Sequence, residues 1–110
     1  MTSLLSDIDT AVDRMGSRSL YVEIARLFAE SLPESEAAIA DAMARGAWPD
    51  SRRLVHSLKS NCAAMGAEAL REQAYSLEKA CAEGDEALAR SLFAPLREGL
   101  RSLRAELLNL

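Results

Sequence analysis

The chain has 110 residues, a formal net charge of −4 and 49% hydrophobic residues, a length that suits one domain with its own core. Its 20 Ala and 17 Leu stand against only 8 β-branched residues, a composition that favours helices over strands. The 11 Arg and 2 Lys are scattered, which argues against a nucleic-acid or anionic-membrane partner, and one His with two Cys excludes a four-ligand Cys/His zinc site.

Apolar residues recur with a helical period from the start of the chain. The pattern predicts a short first helix over about residues 6–15, followed by Gly16 as its C-terminal cap. A second helix is predicted to begin after Ser17 or Ser19, either of which suits an N-cap, and to end near residue 32. The residues predicted to face inward from this second helix are Leu20, Ile24, Leu27 and Phe28.

Two prolines suggest the next boundaries. Pro33 suits the first position of a helix, so we expect a third helix to begin there and to end at Arg45. Trp48, Pro49 and Asp50 form the next junction, with Asp50 as the predicted N-cap of a fourth helix over about 51–65.

The fourth predicted helix and the two after it complete the domain. A fifth helix is predicted over about 67–84 and a last one after Asp85, its predicted N-cap, with a bend or a break at Pro95. Short connections favour antiparallel neighbours. We therefore predict an all-α fold, an antiparallel up-down four-helix bundle with one or two additional short N-terminal helices.

Cys62 and Cys81 form no CxxC motif and are expected to be small core residues.

His56 is the single histidine of the chain and lies on the predicted fourth helix. The inner face of this helix carries four apolar residues, Val55, Leu58, Cys62 and Met65. At 100° per residue, the imidazole points away from them, so we expect it to face solvent. An exposed helical histidine is by itself most simply a surface residue, and its neighbours decide how it is interpreted.

The neighbours of His56 suit an accessible, anion-accepting side chain. Lys59 follows three residues later, where its ammonium can reach an anion attached to the imidazole. Ser60 and Ala63 have small side chains, so the surface beside the imidazole does not obstruct a partner. Transfer of a phosphoryl group requires a nucleophilic nitrogen, a nearby cation and an unobstructed approach. The alternative interpretations are that Lys59 is an ordinary solvated lysine and that the small residues serve close helix packing.

The segment His56-Ser57-Leu58-Lys59-Ser60 resembles the central motif of the histidine-containing phosphotransfer (HPt) domain of multistep two-component signalling. The resemblance covers essentially the whole chain through further pairs, Leu20-Tyr21, Leu27-Phe28, Leu32-Pro33, Met65-Gly66, Leu77-Glu78 and Gly84-Asp85. It implies a single HPt domain over residues 1–110, with flanking N-terminal helices over about 1–32 and the four-helix bundle over about 33–110.

The resemblance also implies a role for Glu78 on the next helix. Its position matches a Glu or Gln that in this family hydrogen-bonds the imidazole. A carboxylate that accepts the Nδ1–H would fix the tautomer and leave Nε2 as the nucleophile, and an ordinary surface position for Glu78 is the alternative. Ser60 departs from the family, which usually has Gly at that position, and its hydroxymethyl would narrow partner choice or hydrogen-bond the phosphoryl group.

The function that the resemblance implies is that of a phosphocarrier, not an enzyme. His56 would take a phosphoryl group from the aspartate of a receiver domain in a hybrid sensor kinase and pass it to a response regulator, with Lys59 offsetting the phosphoryl charge. No cofactor of its own is expected, since the divalent metal would belong to the receiver. The docking residues would be Arg52, Arg53, Ser57, Ser60, Ala63 and, unless they belong to the core, Ile8 and Val12 of the first helix.

Two other functions are alternatives to the relay. A non-catalytic adaptor of the same fold could bind or sequester a response regulator, although it would have no physical reason to keep His56. A di-iron bundle needs a Glu-x-x-His pair on each of two helices, and Arg53 occupies the Glu position before the single histidine. We expect a monomer, because the apolar stripes are accounted for within a single bundle. We expect it to be cytoplasmic, because the apolar runs are far shorter than the roughly 20 residues of a membrane span and no signal peptide opens the chain.

Overall fold

A computed structural model describes residues 3–110, and within that range the chain forms helices without strands. The five helices are α1 Ile8–Met15, α2 Arg18–Ala44, α3 Trp48–Met65, α4 Glu68–Glu83 and α5 Glu86–Leu108. Each of the four long helices packs against the next, and α5 closes the ring against α2, while α1 contacts α2 and α3. The predicted fold class, a four-helix bundle with a short additional N-terminal helix, is confirmed.

In the part of the chain that the structure describes, no helix combines the length and the apolar character that crossing a bilayer requires.

The predicted helix boundary at Pro33 is wrong, because α2 continues through this residue. Proline has no N–H, so the carbonyl of Ala29, four residues earlier, loses its usual helical partner. Arg104 of α5 replaces that partner, since its Nε donates to the Ala29 oxygen at 3.1 Å. Residues 18–32 therefore belong to the bundle, and of the described residues that precede α2, α1 and residues 3–7 flank the four long helices.

The predicted inner face of α2 is also largely wrong. Leu20, Ile24 and Leu27 are 43%, 38% and 54% exposed, and of the four predicted residues only Phe28 is buried. The helix buries instead the face that carries Tyr21 and the small Ala25 and Ala29. Alanines contribute little to a hydrophobic pattern, yet they allow neighbouring helices to approach closely. Close packing of the helices on this alanine face outweighs the burial of the larger Leu and Ile side chains.

Of the bend or break expected at Pro95, the break does not occur, and the bend stays a prediction. α5 runs from Glu86 to Leu108 without interruption. Pro95 removes the helical partner of the Ser91 carbonyl, but both residues are exposed, so water can hydrogen-bond that carbonyl. The carbonyl freed by Pro33 is thus hydrogen-bonded by an arginine, whereas the carbonyl freed by Pro95 belongs to an exposed residue.

Two of the three predicted N-caps are confirmed. The side chain of Ser17 accepts a hydrogen bond from the backbone N–H of Leu20, and that of Asp85 accepts one from Leu88. Asp50 is not a cap, because α3 begins earlier, at Trp48, with a proline in its first turn. A proline is well suited to that turn, where its missing N–H costs no hydrogen bond.

Gly66 ends α3 and holds α1 against it. Its φ of +80° lies in the left-handed region, and a Cβ at this position would come within 2.5 Å of the backbone oxygen of Asp7. The Asp7 N–H donates to the Gly66 carbonyl at 3.0 Å, and the buried hydroxyl of Tyr21 donates to the Met65 carbonyl at 2.7 Å. The Met65-Gly66 pair thus has a structural role, since it joins α1 and α2 to the end of α3.

The two cysteines are core residues, as predicted. Both are free and buried, Cys62 in α3 and Cys81 in α4. Burial raises the pKa of Cys62 to about 12, and burial together with the charge of Glu78 raises that of Cys81. These thiols stay protonated at neutral pH, which removes them from nucleophilic chemistry.

Candidate functional site

His56 projects from the outer face of α3. Its neighbours Val55 and Leu58 are 0% and 3% exposed and pack into the core, whereas the His56 side chain is 57% exposed. Successive residues of a helix are turned by 100°, so the imidazole points away from the apolar face of α3 that packs into the core. The helix thus presents a titratable ring to solvent on a firmly packed backbone.

Glu78 of α4 reaches across to this ring. Its side chain is only 11% exposed, and its Oε2 lies 2.7 Å from His56 Nδ1. An ionised carboxylate can only accept a hydrogen bond, so Nδ1 must carry the proton and donate it. In the neutral ring this assigns the free lone pair to Nε2.

Lys59 binds the other oxygen of the same carboxylate. Its Nζ donates to Glu78 Oε1 at 2.7 Å, and its side chain is 22% exposed, low for a lysine. The ammonium also lies 5.3 Å from the centroid of the Tyr75 ring. Sequence reasoning missed Tyr75, although its position three residues before Glu78 on one helix placed both on the same face.

The charges around Glu78 keep it ionised. Burial by itself raises the pKa of this carboxyl, but hydrogen bonds from Lys59 and His56, reinforced by their charges, outweigh burial and hold the pKa below its usual range. One carboxylate therefore connects a ring nitrogen to an ammonium group. The arrangement leaves a nucleophilic nitrogen beside a cation, which is suited to accepting an anionic electrophile.

A recess of about 350 Å³ adjoins the imidazole on the side toward the start of α3. It is lined by Pro49, Arg52, Arg53, His56 and Glu78. Arg52 and Arg53 are exposed, and Arg53 pairs with Asp50 at 3.2 Å. Two of the residues predicted for docking thus share one basic depression with the histidine.

The remaining predicted docking residues divide into two groups. Ser57 and Ser60 are exposed on α3 beside the histidine, and Ala63 is half-buried. Ile8 and Val12 of α1 are partly buried and pack against the core. The backbone of Ile8 adjoins Gly66, which follows His56 by ten residues, or about 15 Å along the helix. The structure therefore does not bring Ile8 to the histidine.

The structure shows no pre-assembled metal site near these residues. Within residues 3–110, no group of three or more His, Cys, Asp or Glu side chains is arranged to hold a metal ion.

Comparison with known proteins gives one finding. A family model of the Hpt domain matches residues 23–106, a span that takes in α3, α4 and the side chains of His56, Lys59 and Glu78. Comparison with curated proteins and with solved structures gave no match. Because the family model covers well over half of the chain, the protein belongs to the Hpt domain family, whose function is phosphotransfer in two-component signalling.

Proposed function

We propose that this protein relays a phosphoryl group between the aspartates of two receiver domains, one in a hybrid sensor kinase and one in a response regulator, through phosphohistidine at His56. The observation that carries this proposal is the exposed imidazole whose Nδ1 lies 2.7 Å from the carboxylate of Glu78. An ordinary surface histidine would have no reason to be oriented by a nearly buried acid on another helix.

The chemistry of the first transfer follows from the tautomer. The lone pair of His56 Nε2 attacks the phosphorus of an aspartyl phosphate, the acyl P–O bond breaks, and its electron pair leaves with the aspartate carboxylate. The proton stays on Nδ1, where Glu78 accepts it in a hydrogen bond and stabilises the positive charge that the ring gains. In the second transfer a carboxylate oxygen of the acceptor aspartate attacks the phosphorus, the N–P bond breaks, and its electron pair returns to Nε2.

Lys59 supplies charge compensation in this scheme. The phosphoryl group adds about two negative charges beside the ring, and the ammonium already lies against the carboxylate that binds the imidazole. Movement of Nζ from Glu78 toward the phosphoryl oxygens would place it where charge develops.

The receiver would supply what this chain does not. Divalent metal and the groups that stabilise the transition state would come from the receiver, and the chain would place one neutral imidazole in line with the phosphorus. Arg52 and Arg53 line the recess beside the ring. Their positive charges would steer His56 toward an acidic receiver site. Ser57, Ser60 and Ala63 would provide the low surface over which the receiver fits.

The relay is tested by incubating the chain with a receiver domain that carries a labelled aspartyl phosphate, and then adding a second, unlabelled receiver. We expect the label to move to the wild-type chain and from there to the second receiver. The His56→Gln variant should keep the helical circular dichroism spectrum and carry no label at either stage.

Two outcomes would contradict the relay. Transfer of label to His56→Gln would remove the histidine from the chemistry. Tight receiver binding without any transfer to the wild-type chain would instead support the non-catalytic adaptor, particularly if His56→Ala kept the full biological output.

A further inference from the structure

We propose that Tyr75 is a positioning residue for phosphotransfer, because its ring holds the Lys59 ammonium beside His56 both before and after the histidine is phosphorylated. This inference rests on the proposed function. The geometry on which it stands is the contact of Lys59 Nζ with the Tyr75 ring, 5.3 Å from its centroid.

The surroundings of Lys59 make this contact more than incidental. A solvated lysine loses side-chain entropy when it is fixed, yet this one is only 22% exposed and has two partners on α4. Tyr75 and Glu78 are three residues apart, so they form adjoining parts of one helix face. Tyr75 itself is 52% exposed, and the core does not require an aromatic ring there.

The two partners of Lys59 act differently once a phosphoryl group is present. Glu78 is an anion and competes with the phosphoryl oxygens for the ammonium. The ring attracts the same ammonium through its quadrupole without carrying a net charge. Tyr75 can therefore keep Lys59 near the site while the ion pair with Glu78 is exchanged for one with the phosphoryl group. The ring performs this role, and the hydroxyl does not.

The test uses phosphoramidate, a small phosphodonor, so that docking of a partner protein does not contribute. Nε2 attacks the phosphorus, the P–N bond of the donor breaks, and ammonia leaves. An exposed cation–π contact corresponds to about a two- to fivefold change in a rate constant. We expect Tyr75→Leu to slow phosphoryl uptake by this factor, Tyr75→Phe to retain the wild-type rate, and the neighbouring exposed control Ser76→Ala to have no effect.

Two further measurements separate positioning from a general structural effect. In the Lys59→Ala background, Tyr75→Leu should cause no additional slowing. By NMR, the ε-methylene protons of Lys59 should lie upfield of those of Lys79, the only other lysine, because protons over a ring face are shielded. The shift should persist in Tyr75→Phe and disappear in Tyr75→Leu.

The outcomes distinguish this inference from the proposed function. If the wild type takes up phosphoryl groups, three results would overturn the role of Tyr75 and leave the phosphorelay standing. These are an unchanged uptake rate in Tyr75→Leu, equal slowing of uptake in Tyr75→Phe, and the same slowing by Tyr75→Leu in the Lys59→Ala background. Absence of uptake by the wild type, from phosphoramidate and from receivers alike, removes the proposed function and this inference with it.

Discussion

Two sides of the bundle each bury one glutamate beside a cation from a neighbouring helix, and the two pairs are built differently. Between α3 and α4, both oxygens of Glu78 accept hydrogen bonds of 2.7 Å, from His56 and from Lys59. Between α2 and α5, Glu36 is equally buried at 8% exposure, but its nearest cation is Arg97 Nε at 3.8 Å. That nitrogen has no hydrogen-bond partner within residues 3–110.

This difference shows that burial of a carboxylate is not what indicates a functional site. Glu36 is held near Arg97, whose guanidinium stacks on Phe93, in a pair that contributes to packing. Glu78 has both oxygens committed to groups that reach the surface, one of them a titratable ring. The number and directions of the hydrogen bonds therefore distinguish the candidate site from a structural ion pair.

The largest expected effect separates the two glutamates by activity. Glu78→Ala removes the acceptor that fixes the His56 tautomer and should slow phosphoryl uptake about tenfold or more, as loss of the carboxylate that orients a metal-ligating histidine does in metal sites. The matched variant Glu36→Ala should leave the rate unchanged. Uptake rates from phosphoramidate measure both, and equal effects of the two variants would break the distinction.

The next effect concerns the stability of the α2–α5 side. Arg104→Ala leaves the Ala29 carbonyl without its hydrogen bond and should lower the free energy of unfolding by about 1 kcal/mol. The exposed Arg101, one turn earlier on the same helix, provides the control and should give almost no change on replacement by Ala. Urea denaturation measures both.

Pro33→Ala provides the internal check on that account. An alanine N–H can hydrogen-bond the Ala29 carbonyl directly, so Arg104→Ala should cost less in this background than in the wild type. An undiminished cost would show that Arg104 stabilises the bundle in some other way.

A smaller effect is expected from pH. Because the pKa of Glu78 is lowered in the folded chain, its contribution to stability is fully present above the unfolded-state pKa of about 4.3 and is lost as the pH falls through the lower folded value. The stability difference between wild type and Glu78→Gln should therefore shrink as the pH falls below the unfolded-state pKa of about 4.3. A difference that grows on acidification would contradict the direction of the shift.

The smallest effect is expected from replacing the whole Glu36–Arg97 pair. The double variant Glu36→Leu/Arg97→Met exchanges a poorly hydrogen-bonded pair, of which Glu36 is buried and Arg97 is 39% exposed, for apolar side chains of similar size, and such exchanges are often neutral or slightly stabilising. We expect a change in unfolding free energy of less than about 1 kcal/mol. A loss of several kcal/mol would show that this pair is as firmly bonded as the one at Glu78.

The fold class could be predicted from sequence because the Ala and Leu composition and the helical period act along the whole chain. The errors occurred at prolines and at small residues. Whether a helix continues through a proline depends on whether another group can hydrogen-bond the carbonyl that the proline frees. For Ala29 that group is Arg104, which lies 75 residues away in the sequence. The buried alanines of α2 likewise reflect the shapes of neighbouring helices, which no local pattern contains.

The candidate site divides in the same way. The outward direction of His56 follows from the period of its own helix, and the family resemblance drew attention to Glu78. The ion pair of Lys59 with Glu78, and its contact with Tyr75, depend on the packing of α3 against α4. Local spacing placed Lys59 near the histidine, but it could not show that the ammonium binds the same carboxylate as the ring.

The most direct test of the central claim is mass spectrometry of the chain after exposure to a phosphodonor. Cleavage after Arg53 and Lys59 gives a peptide of residues 54–59 that contains the single histidine together with Ser57. The account predicts one added phosphoryl group on this peptide, lost in acid, stable in base, and absent from His56→Gln. An acid-stable phosphoryl group on Ser57, or a label that persists in His56→Gln, would contradict it.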